Sequence, residues 1–507
     1  MKVWLANGVI ALLALIGMIA FFPGATNTLL YKGLWLHVFD LVSVAVGAGL
    51  VMLALSIWEE RPAMAVVYGV LGLIGFALMG PIVISGTSDW KICQSYKAQS
   101  RNSLVPVDLE AVRFTPLEVA HNDMVNGFNS SQFTVELEHV HAVNMGQGVG
   151  YVVPITPDGF WMHWTQENDG FMIFDDRPEI ESANRVRRIK EKFKVGEEMQ
   201  WLDNLRRNLY SKDRWCDYSD VYYLPADPTN PDSIVIVACK VKYRYEFPCF
   251  WVPYWAGATI VNPDGAMREV TVDELLNDTR FAGQLLHPIS LALTIVKVQK
   301  FDQGVLSGFV RRPGKIEIPE LPGRNQMPYF IRGNDGHVYH VVATRAEGGS
   351  HALFRVYYVD AHTGVLTYYE YNEQAGIVGP ERGIEYVKSL RGYNWVEHEY
   401  KEGASGNFRV VESIYLAMPN GELWWKYTIT TQRFNGVVAT AVVNGHTKEV
   451  VEFRTRDEFD LWLRGDHSAS TSSSGDVLSE ILALEGELRS ALTRIETLKN
   501  SLSSTTQ

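Results

Sequence analysis

The chain has 507 residues, with 46 Lys and Arg against 58 Asp and Glu, a formal charge of −12. That balance argues against a globally nucleic-acid-binding protein, and 12% aromatic residues with 14 Trp confine disorder to local stretches. The length accommodates an N-terminal block and two or three further domains.

Three apolar runs open the chain, at about 3–22, 34–58 and 63–85. Each is long enough, at 1.5 Å per residue, to cross a hydrocarbon core about 30 Å thick. They predict a three-helix transmembrane block over residues 1–86, with Glu59-Glu60-Arg61-Pro62 as a tight turn between the second and third spans. Ala45, Gly49, Gly69, Gly72 and Gly75 would let those helices approach closely. His37 and Asp40 are the ionisable side chains inside the second span and share a helix face. An ion or proton site is one reading of them, and placement at the headgroups near the span's start is the other. The expected localisation is a multi-pass membrane protein contacting lipid. Loop Lys and Arg mildly favour a cytoplasmic C-terminal part, whereas the Asn-x-Ser/Thr sites at Asn129 and Asn277 and the even cysteine count favour an extracytoplasmic one, which is the placement expected.

Residues 87–323 read as a β-rich α+β domain. Short alternating bursts such as Gln132-Phe133-Thr134-Val135-Glu136-Leu137 are separated by Pro157-Asp158-Gly159 and Asn168-Asp169-Gly170 turns. His139, His141 and His163 are the candidate metal ligands here, because two histidines two apart on a strand point to one face. The alternative is that they are structural or surface histidines. A basic helix is predicted over 179–210 from Ile180, Ala183, Val186, Ile189 and Phe193. Cys239 and Cys249 could meet across a hairpin. The Asn262-Pro263-Asp264-Gly265 turn, a following strand and a capped helix from Thr271 suggest a degenerate copy of the units that follow.

Residues 324–465 carry one grammar twice, in units of about 324–390 and 391–465. Asp335-Gly336 is followed by Asp360-Ala361-His362-Thr363-Gly364 and a short helix at 380–387. Asn420-Gly421 is followed by Asn444-Gly445-His446-Thr447 and a second helix at 456–463. Asp335 to Asp360 spans 25 residues and Asn420 to Asn444 spans 24, so two β-meander-plus-helix units are predicted. At the Asp-x-x-Thr-Gly turn the sequence resembles the PepSY family, over roughly residues 328–463. The second copy departs from that motif, with Asn444 for Asp and Lys448 for Gly. The resemblance implies extracytoplasmic modules that bind or restrain proteins, notably peptidases. Similar units also occur in multi-span proteins of bacteria and their phages.

A Ser-rich linker, 466–475, leads into residues 476–507. There Val477, Ile481, Leu484, Leu488, Ala491, Ile495, Leu498 and Leu502 form an a/d seam, and a coiled-coil helix is predicted. The fold class expected is therefore α+β, with an N-terminal three-helix transmembrane block, antiparallel β-rich domains and a C-terminal coiled coil. The expected function is membrane-anchored binding or scaffolding, with the tandem units engaging a protein or surface ligand and the tail mediating self-association or docking. The alternative is a membrane-bound hydrolase or metal-dependent enzyme with its site in the β-rich domain. Glu397-His398-Glu399 and the pair His337 and His340 are further candidates for acid-base or metal chemistry. Without a Gly-rich phosphate loop, GxSxG or HExxH pattern, no cofactor and no catalytic residue is assigned.

Overall fold

The computed structural model describes residues 23–465 apart from 59, 79–80, 147, 182–183, 228–229, 248–249, 311–313, 322–325, 349–350, 373–374, 397–405 and 435. The first expected span, Cys249, the Glu397-His398-Glu399 cluster, the linker and the heptad seam lie outside those residues.

The transmembrane block is not what forms. Among the described residues no helix is long and apolar enough to cross a membrane, which overturns the multi-pass localisation expected for the chain. The second apolar run overstated its element because it was counted through a break. A π-helix at Asn27–Trp35 stops before α1 (Val38–Ser56), and the described residues of the third run fall in α2 (Pro62–Leu78) and α3 (Pro81–Ser95). His37, non-helical at φ −108°, stands at the head of α1 rather than inside a span, and it is exposed. The π-helix is bound to the folded body by polar groups. Lys32 Nζ lies 2.8 Å from Asp217, and Asn27 donates to the carbonyls of Arg214 and Cys216 at 2.7 and 2.9 Å. At its far end α3 buries Ile92 and Cys93 against Val252, Val298 and Phe301. The small-residue expectation holds at one place: a Cβ on Gly72 would sit 2.9 Å from Val51, so α1 and α2 touch there.

Beyond α3 the chain lays down four antiparallel meanders in succession. The first comprises β1 (Phe133–Val135), β2 (His141–Asn144), β3 (Val149–Pro157), β4 (Phe171–Asp175) and β5 (Val186–Ile189), with β1 and β2 both paired to β3. The second is β6 (Val221–Asp227), β7 (Asn230–Glu246), β8 (Phe250–Val261) and β9 (Met267–Val270). The third is β10 (Tyr329–Arg332), β11 (Val338–Ala346), β12 (Leu353–Asp360) and β13 (Leu366–Glu370). The fourth is β14 (Phe408–Ala417), β15 (Leu423–Thr431), β16 (Val437–Asn444) and β17 (Val450–Phe453). One core joins mainly the first two meanders and another the last two, with Trp255 packed against both.

The duplication is legible atom by atom. Asp360 Oδ1 accepts from the backbone amides of His362 and Thr363 at 2.9 and 2.7 Å. Asn444 Oδ1 accepts from those of His446 and Thr447 at 2.8 and 2.9 Å. The residue that completes each turn is left-handed, Gly364 at φ +78° and Lys448 at φ +67°. The earlier turns match as well, with Asp335 and Asn420 accepting from His337 and Glu422. A helix follows each unit, Pro380–Lys388 and Arg456–Leu463. The second meander continues the theme, since its helix Val272–Leu276 has the same Thr-x-x-Glu capping box as the last one.

Two further expectations fail. Residues 179–210 do not form a basic helix: β5 occupies 186–189, Glu198 and Trp201 adopt positive φ, and helix resumes only at Leu205–Lys212. Ile189 is buried in the sheet while Arg187 and Arg188 pair with Asp232 and Asp169, so this part of the helical-looking run is held as a strand by its sheet partner and by ion pairs. Cys239 is a free, buried thiol opposite Ala258, so it is not bridged across the hairpin.

Candidate functional site

The most reactive grouping of side chains lies between the first and second meanders. Glu136 ends the segment after β1, and a 3₁₀ turn, Leu137–His139, delivers His139. Opposite stands the loop 194–204 that leads into the helix Leu205–Lys212. Gly196 lets this loop pass close to Asn168, where an added Cβ would fall 2.4 Å from the amide nitrogen. Asn204 caps the helix by accepting from Arg207 N–H at 2.8 Å. Between these anchors Glu198 and Trp201 are held at φ +58° and +60°. Such strain in non-glycine residues concentrates at functional sites.

His139 is gripped from one side and open on the other. Its Nδ1 lies 3.0 Å from Glu197 Oε2. Glu197 is itself buried, and it also accepts from Tyr223 Oη at 2.8 Å and Arg206 Nη2 at 3.2 Å. His139 Nε2 is buried with no hydrogen-bond partner, 3.5 Å from Glu136 Oε2 and 3.8 Å from Glu198 Oε1. The three ligand atoms lie within 4.8 Å of one another. A tetrahedral ion with ligand bonds of about 2.0–2.2 Å needs ligand atoms roughly 3.3–3.6 Å apart. The set of one imidazole and two carboxylates suits a divalent transition ion.

Electrostatics follow the geometry. Burial by itself would lower the His139 pKa, but the Glu197 hydrogen bond and the charges of Glu197, Glu136 and Glu198 outweigh it and hold it above its ordinary value. Glu197 goes the other way. Burial would raise its carboxyl, yet His139, Arg206 and Tyr223 keep it below the usual range, so both partners report the same ion pair. Burial and the neighbouring Glu198 push Glu136 up, with His139 only partly offsetting them.

The histidines singled out in the sequence therefore separate. His139 lies in the turn and His141 opens β2, so strand alternation does not place them on one face. His141 Nε2 accepts from Tyr223 N–H at 2.7 Å, and its Nδ1 faces the His139 carbonyl at 3.3 Å. Both its nitrogens are spent, and burial pushes its pKa down to about 4. His163, on the short helix Met162–Thr165, bonds through Nδ1 to the Glu198 carbonyl and so holds the strained residue rather than joining the ligand atoms. His337 is exposed beside Asp360 at 2.9 Å and His340 is fully buried, so they share no site. The turn residues Asp335, Asp360, Thr363, Asn420, Asn444 and Thr447 accept from backbone amides, which closes the turns.

Sequence reasoning passed over Glu136 and the pair Glu197-Glu198. The available signal was Glu136-x-x-His139, a spacing that stacks two side chains on one turn, and the acidic pair after Gly196. Comparison with known proteins adds nothing to the site: no family model, no curated protein and no solved structure matches the chain. The PepSY resemblance consequently rests on the turn motif alone.

Proposed function

We propose that the protein binds a divalent transition-metal ion through Glu136, His139 and Glu198, as the site of a metal-dependent hydrolytic activity. The observation that carries this reading is His139 itself. Its Nδ1 is fixed by a buried carboxylate while its unpartnered Nε2 faces two more. With three protein ligands, a bound ion keeps a position open to water, whose proton it would make easier to remove. Glu197 orients the imidazole, Tyr223 and Arg206 keep Glu197 ionised, and His163 holds Glu198 in place. Calorimetric titration of chelator-stripped protein with Zn²⁺ and Mn²⁺ tests the proposal. Stoichiometric binding in the native chain and its loss in Glu136→Gln/Glu198→Gln are expected. Undiminished binding in that variant would sink the reading.

A second reading, a binding module, has one observation in its favour. Phe160, Trp161 and Trp164 are exposed beside His163, and Trp164 stacks on Trp201 at 6.2 Å, a ring-rich surface of the kind that carries contact energy in recognition. Activity in cells that survives loss of the two glutamates but not Trp161→Ala/Trp164→Ala would favour it.

A further inference from the structure

A cavity of about 520 Å³ opens where the first and third meanders meet the helix Ile289–Lys297. Its size is that of sites for small organic ligands. Most of the lining is apolar, including Leu293, Met327 and Phe330, and the polar exceptions include Arg113, His141 and His340.

Two of those exceptions are fully enclosed and have an atom left over. His340 is 0% exposed, and its Nε2 lies 3.4 Å from the His287 carbonyl, so that nitrogen carries the proton. The Nδ1 is then a lone-pair acceptor, and it is buried without a partner. Arg113, 5% exposed, directs Nη1 to Tyr151 Oη at 3.4 Å and Nη2 toward Glu412 Oε1 at 4.0 Å, while its Nε–H is buried and unpartnered. Unmade hydrogen bonds on enclosed groups cost free energy, so they mark places where something else is expected to bind.

Charge decides what. The Arg113 guanidinium is matched by Glu412. Burial keeps His340 neutral, with its pKa pushed down to about 4. An anion would compete with Glu412 for Arg113, and a cation would meet the Arg113 charge with the exposed Glu138 as the carboxylate in the lining. We infer that this cavity binds an uncharged, largely apolar small molecule bearing a hydroxyl group, which accepts from Arg113 Nε–H and donates to His340 Nδ1. The inference is independent of the metal reading, because His141 and His340 hold no ligand position there.

Calorimetric titration of the full chain with 1-naphthol, 1-methoxynaphthalene and 1-naphthoate tests it. The naphthol is expected to bind best, the methyl ether about tenfold more weakly for want of a donor, and the naphthoate weakest. His340→Phe should bring naphthol down to the level of the ether while leaving ether binding in place. Leu293→Trp, which fills the space without touching a polar group, should abolish both while the protein still melts cooperatively. The inference is overturned if none of the three probes binds, if ether and naphthol bind equally to the native chain, or if Leu293→Trp binds as well as the parent.

Discussion

Arg456 reaches back across 280 residues to Asp176, with Nη1 3.2 Å from its carboxylate and Nη2 donating to its carbonyl at 2.7 Å. Asp176 has no exposed side-chain surface. It also accepts from Phe114 N–H at 2.6 Å and from the amide and hydroxyl of Thr115 at 3.0 and 2.8 Å. One carboxylate thus fastens the strap before the first meander, the end of β4 within that meander and the last helix. Asp176→Ala leaves Arg456 without its buried partner, and a loss of about 3–5 kcal/mol is expected in denaturant unfolding. In a double-mutant cycle with Arg456→Met, the two losses should fall well short of adding. Additive losses would mean the contact does not fasten anything.

Lys426 is fully enclosed, donating to Phe114 O at 3.0 Å and Thr428 Oγ1 at 3.1 Å. Burial first, then Arg113 and Arg456, push its pKa down to about 8 against the opposing pull of Glu412 and Asp176. Above that pH the unfolded chain holds a proton that the native chain has released. Stability is therefore expected to rise, by roughly 1.5 kcal/mol between pH 8 and 9.5. Lys426→Met should remove this rise. A flat native profile over that window, read before the tyrosines titrate, contradicts the assignment.

At the proposed metal site, an ion displaces the proton from His139, so affinity should climb with pH until the raised His139 pKa is passed. The metal-free site has the opposite dependence. Its imidazolium contribution is complete below about pH 6.5 and fades as pH passes the folded value. Glu197→Gln touches no ligand atom, yet it is expected to weaken metal binding about 10- to 100-fold and to move the pH at which affinity levels off to lower values. Weaker binding with an unmoved pH profile would reduce Glu197 to a packing role.

The two repeated turns make an internal control. Lys448 holds at φ +67° a conformation that costs a side-chain-bearing residue about 1 kcal/mol, so Lys448→Gly should raise the melting temperature by about one degree. Gly364→Ala should do the reverse and more strongly, because its Cβ would also lie 2.5 Å from the His287 ring. Equal and small effects at both positions would show that the left-handed backbone constrains neither turn.

How much of this was legible beforehand divides along physical lines. Turn chemistry is local, so the Asp335, Asp360, Asn420 and Asn444 positions announced the two meanders and their helices, and the Thr271 capping box announced the helix Val272–Leu276. Apolar content is also local, but it says nothing about where a helix stops. The run at 34–58 gave no weight to the π-helical winding before His37. The site was half readable. His139 stood out by residue type, whereas Glu198 comes to it through a loop from 59 residues further on, held at positive φ by contacts that no spacing reveals. The cavity around His340 and Arg113 is built by four distant segments and left no mark in the sequence.

The bond between Asp176 and Arg456 also bears on how the chain is made. While the ribosome is still translating the fourth meander, Asp176 has no arginine to receive, and the early sheets must wait with an unneutralised carboxylate. Truncated nascent chains should therefore gain full protease resistance only after residue 456 has cleared the exit tunnel.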